Sequence, residues 1–396
     1  MHFTLHLTSD CNLRCKYCYT PPIKSKEMSS EVSKRSIDFI TKTSPENAGV
    51  IFFGGEPLLK KDLIIQTVEY AKSLEKKGKA KFHYKVTTNG LLLDEEFLEY
   101  SLKNSIYMGI SIDGIKEAHD YHRKNAKGKG SFDRVIQKAK LLLQYQPYSN
   151  VLMVVSPETV EYFYDSVVFL LDFGFKYIIS SLNYAGNWND EKLNILKKQY
   201  KKISKLYEKL TLKEHKFYFS PFEKKLASHI MGNKYKDYEC HFGVRQISIS
   251  PNGDIFPWVQ FVKYDGSTES YKIGDIRKGI DHKKQSYLYR KSRNLQDICK
   301  NCALRERCDN KCACIKFQTT GEIDKVSPIL CGHERMIIPI VDKLGEKLYK
   351  KGSSVFMQKH YNNYYPLISF FQDMEEEIIL RTKDLIMKKN GGKNET

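Results

Sequence analysis

No stretch of this 396-residue chain approaches the roughly 18 consecutive apolar residues of a membrane-spanning helix. Nor does a basic segment followed by an apolar one open it, as a secretory signal would. The expectation is a cytoplasmic protein with no membrane partner. Internal repeats and low-complexity blocks are also missing, which excludes solenoids and disordered tails as the main architecture. Acidic residues are the scarcer charge, 47 against 65 Lys and Arg, leaving a formal charge of +18. The lysines are scattered as pairs along helix-like stretches, such as Lys197-Lys198 and Lys201-Lys202. They read as solvated faces, and no nucleic-acid-binding motif accompanies them, so nucleic acid is a disfavoured partner. An acidic peptide fits the charge equally well.

Aromatics are present at 12% and hydrophobic residues at 41%, which indicates a folded protein, long enough for two domains or one large one with an appendage. Ten cysteines are many for a reducing compartment, where disulfides are rare, so metal ligation is their leading explanation.

From residue 1 to about 210, strand-like runs alternate with helix-period segments. The runs are His2–Thr8, Val50–Phe53, Phe82–Thr88, Tyr107–Ile112, Val151–Val155 and Tyr177–Leu182. The helical segments are Ser29–Thr43, Leu59–Lys76, Asp94–Lys103, Phe132–Tyr145, Glu158–Phe173 and Asn189–Lys209. Six βα units in series imply an α/β fold with a parallel sheet and helices packed outside it. Ser29 and Asp94 are plausible N-caps. After residue 215 the alternation breaks. Arg245–Phe256 alternates about an Asn252-Gly253 turn and reads as a hairpin. Met336–Lys350 and Asp373–Lys388 look like amphipathic helices.

Cys11-x3-Cys15-x2-Cys18 directly follows the first expected strand, at the carboxyl end of the sheet where α/β proteins place their sites. A [4Fe–4S] cluster normally takes four thiolates; three leave one iron open for a reactant. The competing readings are a three-cysteine zinc site or buried thiols in a tight loop. Further along, Gly54-Gly55-Glu56-Pro57, Thr87-Thr88-Asn89-Gly90 and Ser111-Ile112-Asp113-Gly114 end the second, third and fourth strands, and His119 and Arg123 follow. As residues alone, these also suit ordinary strand-exit turns and a surface salt bridge.

The cysteine triad, with the aromatic Tyr17 before its last cysteine, resembles the signature of the radical S-adenosylmethionine (radical SAM) superfamily. The resemblance implies a partial (β/α)6 TIM-like barrel and a [4Fe–4S] cluster whose open iron is chelated by SAM. One electron then cleaves SAM to methionine and a 5′-deoxyadenosyl radical that abstracts a hydrogen atom from the substrate. It further implies that Gly54, Gly55, Glu56 and Pro57 bind the SAM amino group, and that Thr88, Asn89, Ser111 and Asp113 line its ribose and carboxylate. Arg123 would contact SAM or substrate, and an electron donor such as flavodoxin or ferredoxin would be a partner.

A second set, Cys299-x2-Cys302-x5-Cys308-x3-Cys312 with Cys331, resembles the SPASM extension of radical SAM enzymes that modify peptides, although structural zinc also suits the spacing. By that resemblance Cys299, Cys302, Cys308 and Cys331 hold an outer auxiliary [4Fe–4S] cluster. An inner one would use Cys240 and Cys312, but Trp258 stands where a further ligand is expected and Lys234 about where another falls. Either the inner cluster is lost, or Cys314, His241 or another group completes it. Anaerobic sulfatase-maturating enzymes carry a catalytic aspartate where this protein has Val259, which cannot accept a proton. The leading expectation is therefore thioether crosslinking of a ribosomally made peptide, with epimerisation or carbon–carbon crosslinking also open. Sulfatase-type formylglycine formation and a non-catalytic iron–sulfur or zinc scaffold are the alternatives. A separate leader-peptide-binding protein is a further candidate partner. The expected division is a barrel over 1–215, a linker over 216–239, a SPASM-like domain over 240–335 and a helical tail over 336–396.

Overall fold

The computed structural model describes residues 1–19, 26–232 and 241–361. Cys240, Lys234 and the expected helix Asp373–Lys388 lie outside them.

Strand β1 (His2–Thr8) alternates: Phe3, Leu5 and Leu7 pack outward, while Thr4, His6 and Thr8 face the other way. Each following unit repeats the scheme: α1 (Ser30–Thr43), β2 (Ala48–Gly54), α2 (Lys61–Lys76), β3 (Phe82–Thr88), α3 (Glu95–Lys103) and β4 (Ile106–Ser111). Two helices, α4 (Lys116–His122) and α5 (Phe132–Tyr145), lead to β5 (Asn150–Val155), then α6 (Phe163–Asp172), β6 (Tyr177–Leu182) and α7 (Asp190–Leu212). Ser29 caps α1 by accepting from Val32 N on its hydroxyl, and Asp94 caps α3 by accepting from Phe97 N on its carboxylate, at 3.2 and 3.0 Å. All six expected strands are present, and β1 to β6 pair in parallel in sequence order.

Three features depart from the expectation. Residues 216–239, read as a linker, hold a two-residue strand β7 (Tyr218–Phe219) that extends the parallel sheet beyond β6, and a helix α8 (Ser220–Met231). A strand that short leaves no periodicity to detect. Helix α4, a second departure, is short for the same kind of detection. Third, the expected hairpin forms as β8 (Gln246–Ile249) and β9 (Asp254–Phe256), but β8 also pairs in parallel with β1, Thr4 opposite Ser248. Strands β10 (Gly274–Asp275) and β11 (Gly279–Ile280) continue the edge. Among the described residues the result is one eleven-stranded sheet, β11-β10-β9-β8-β1-β2-β3-β4-β5-β6-β7.

Beyond it come α9 (His282–Ser292), α10 (Asp297–Lys300) and α11 (Ala313–Thr320); Cys299 lies on α10, Cys302 and Cys308 in the turns between α10 and α11, and Cys312 directly before α11. Helix α12 (Pro328–Lys351) packs against α7 and α8 and is followed by α13 (Ser354–Tyr361). No helix among the described residues is long and apolar enough to cross a membrane.

Candidate active site

The carboxyl ends of β1 to β4 converge on the first cysteine loop. Gly55 N donates to Thr8 O and Glu56 N to Asp10 O, both at 2.8 Å, so the end of β2 holds the start of the loop. Only glycine allows this approach: a Cβ at Gly54 would lie 2.4 Å from Thr8 O, with φ at +136°, and one at Gly55 would lie 2.1 Å from Asp10 O. Glu56 is 1% exposed, and its carboxylate accepts from Leu58 N, Thr88 Oγ1 and Asn89 N at 3.0, 2.6 and 2.8 Å. Burial raises its pKa, while these bonds oppose the rise. It acts as a tie between the ends of β2 and β3, and Pro57 begins the short turn it caps.

Asn89 reaches back to the loop. Its amide donates to Asn12 Oδ1 at 2.6 Å and lies 3.7 Å from Cys11 Sγ, which also accepts from Leu13 N at 3.4 Å. The loop's far side is pinned to the end of α4, where Lys16 N donates to His122 O and Arg14 N to Lys124 O. The Tyr17 hydroxyl donates to Asp113 Oδ2 at 2.5 Å. Asp113 also accepts from Arg123 Nε and Nη2 at 2.9 and 3.2 Å and from Val154 N at 3.0 Å. Arg123, expected either in a surface salt bridge or on a ligand, instead forms a buried pair. Asp113 N donates to Nδ1 of buried His119, whose other ring nitrogen meets Ser131 Oγ. Ser111, half-buried, ends β4 beside them.

Burial pushes the Cys11 thiol up to about 12, with the charges of Glu56, Cys15 and Cys18 adding to the rise. Cys15 is raised by burial, against the pull of Arg123. The three thiols thus sit within electrostatic reach of one another, although among the described residues no three His, Cys, Asp or Glu side chains are grouped as metal ligands. The donor set fits an iron–sulfur cluster: three thiols on one loop, with amide donors at the first and a guanidinium near the second.

In the second set, Cys299 lies on α10 and Cys331 in the first turn of α12, and the Cys299 thiol is raised by burial and then by the charges of Cys331 and Cys302. Burial also raises the Cys308 thiol, whose main charged neighbours are Glu334 and Lys225. Cys312 caps α11, and Cys314, buried, is within electrostatic reach of Tyr19 beside the first loop. Trp258 packs against the core, and Val259 opens a short 3₁₀ turn. One feature gave no signal in the sequence. Lys225 on α8 is buried, bonded to Glu334 at 2.6 Å and near Asp309 at 3.3 Å, which fastens the second cysteine segment to the barrel.

Residues 5–170 match the model of the radical SAM superfamily. Over 330 residues the sequence is 28% identical to a cysteine-type anaerobic sulfatase-maturating enzyme of Clostridium novyi, covering 77% of this protein and 85% of the relative. The fold is similar to that of native anSMEcpe with bound AdoMet and Cp18Cys peptide, with a TM-score of 0.73 at 20% identity over 88% and 98% of the two proteins. It is also similar to Streptococcus suis SuiB bound to precursor peptide SuiA, with a TM-score of 0.55 at 16% identity over 83% and 75%. The triad loop, clamped at the strand ends, lies within residues 5–170, the segment that matches the radical SAM superfamily model.

Proposed function

We propose that this radical SAM enzyme modifies a peptide, installing a thioether between a cysteine sulfur and a carbon of a neighbouring residue. The observation that carries the reading is the second cysteine set, raised on α10 and α12 and fastened to the barrel through Lys225. Crosslinking breaks one C–H and one S–H bond as one C–S bond forms, so it needs an electron acceptor beyond SAM. Cys299, Cys302, Cys308 and Cys331 are the donors in this protein suited to hold one. Two structural neighbours were solved with peptides, which supports a peptide substrate.

When bound on Cys11, Cys15 and Cys18, a cluster with SAM supplies the radical that takes the substrate hydrogen. The protein's own residues do the positioning. Gly54 and Gly55 let the end of β2 close against the cysteine loop, with Ser111 and Asn89 at the neighbouring strand ends. Asp113 and Arg123 hold Tyr17, and through it the loop, in one place.

A second reading, formylglycine formation, is favoured by the likeness to the sulfatase-maturating relative. Against it stands Val259, which offers no proton acceptor. The test is to incubate anaerobically reconstituted protein with SAM, dithionite and either a cysteine-bearing peptide pool or a sulfatase-motif peptide. Loss of two hydrogens with no free thiol supports crosslinking; an aldehyde trapped by a hydrazide supports the second reading. Absence of 5′-deoxyadenosine in both would sink the two together.

A further inference from the structure

The inner face of the barrel contains a cation with no counter-charge among the described residues. On β3, Tyr84, Val86 and Thr88 pack toward the helices, which leaves His83, Lys85 and Thr87 facing inward. The strand register sets Lys85 in one row with Ser248, Thr4, Ile51 and Tyr107. Among the described residues its ammonium makes no hydrogen bond or ion pair, and its one ring contact is Tyr107, 5.6 Å from the centroid. Burial pulls its pKa down to about 8.

No Asp or Glu occupies an inward position on β1 to β6 or β8. The nearest rim carboxylates are saturated: Glu56 by three donors, and Asp113 by Arg123, Tyr17 and Val154. The same face of the sheet holds further polar atoms without partners among the described residues. His6 Nε2 and Ser248 Oγ are buried and unbonded, and so is Asn150 Oδ1. A Cβ built on Gly109 would lie 2.4 Å from Asn150 Oδ1 and 3.5 Å from Lys85 Cε, so the lysine's end and the amide cover the same spot. Buried charge without a partner is costly, and unpaired polar atoms around it add to the cost. An anion entering from above would supply the counter-charge that the ammonium lacks.

We propose that Lys85, beside Asn150, receives a carboxylate of the peptide substrate inside the barrel. This rests on the peptide reading above and narrows it: the substrate presents an Asp or Glu side chain, or a C-terminal carboxylate, close to the modified residue. SAM's own carboxylate does not serve, since the resemblance places it on the open iron above the strand ends.

The test has two arms, both on the full-length reconstituted protein with SAM. In the first, lysines are acetylated by a water-soluble succinimidyl ester and Lys85 occupancy is read by peptide mass spectrometry. N-acetylglutamate α-amide should protect Lys85 roughly tenfold, the size of one charge-assisted hydrogen bond, and N-acetylglutamine α-amide should not. Protection by N-acetylalanine instead would assign the site to the terminal carboxylate of a peptide. A Lys85 that never reacts, or reacts equally under all probes, overturns the proposal. In the second arm, pools of cysteine-bearing, carbon-deuterated hexapeptides containing Asp and Glu, or Asn and Gln in their place, are compared by deuterium transfer to 5′-deoxyadenosine. The acidic pool should win roughly tenfold, and Lys85→Met should erase the preference. Equal transfer from both pools overturns the carboxylate site. No transfer from either overturns the peptide reading, and the labelling arm still decides Lys85.

Discussion

Asp113 and Tyr17 meet at 2.5 Å across 96 residues of sequence, and Arg123 closes on the same carboxylate from the other side. A strand end and a cysteine loop are thereby joined by one buried acid.

The substitution Asp113→Asn is expected to leave the Arg123 guanidinium buried without compensation. The protein should lose about 3–5 kcal/mol of stability. The cysteine loop should also hold less iron after reconstitution, because Tyr17 loses its charged acceptor. Urea unfolding of this variant beside wild type, with iron measured on both, checks this; unchanged midpoints would refute the structural role.

Gly55→Ala adds a methyl group 2.1 Å from Asp10 O, against backbone that cannot step aside cheaply. Overpacking of this kind costs about 1–3 kcal/mol. The loop would move away from the end of β2, so SAM-dependent perturbation of the cluster's electron paramagnetic resonance signal should vanish even where the fold survives by circular dichroism.

Iron and labile sulfide count the clusters. Wild type should carry about eight irons per molecule, four per [4Fe–4S] unit, and the Cys11/Cys15/Cys18 triple Ala variant about four. About twelve in wild type would mean that an inner auxiliary cluster forms despite Trp258.

Burial and the nearby charge of Arg123 keep His119 neutral down to about pH 3 in the folded protein. Unfolded, the same imidazole protonates near its ordinary value of 6.5. Between those values the unfolded state binds the extra proton, so this group's contribution is whole above pH 6.5 and drains as pH falls, by up to about 1.4 kcal/mol per unit. His119→Gln should flatten the stability profile between pH 7 and pH 5 by about that slope, measured from urea midpoints at each pH. An unchanged slope would refute the assignment.

Much of the fold is legible in the residues because the strands are apolar runs of six or seven positions. Phe82–Thr88 and Tyr177–Leu182 are found at their expected bounds. Tyr218–Phe219 offers two residues and no pattern, and the pairing of β8 with β1 depends on contact between segments some 240 positions apart, which no local period encodes. The cysteine loop announces itself by spacing. Lys85 and Lys225 do not, since a half-buried or buried lysine is spelled like any of the protein's other cations and only the surroundings distinguish it. Arg123 reads as a surface partner because the acid it meets, Asp113, is ten positions away, at the other end of α4.

The seat of β8 beside β1 also bears on how the polypeptide leaves the ribosome. Strand β1 gains β2 early, yet its other edge has no neighbour until residues 246–249 have been made. Until then, a strand leading straight into three thiols is open along one side, the condition that invites misassembly and chaperone capture. Iron delivered before the hairpin docks would meet a loop whose base is still half-anchored. Maturation of the first cluster is therefore tied to synthesis of the β8 hairpin, some 230 residues after the cysteine loop, a timing imposed by the order of strands in the sheet.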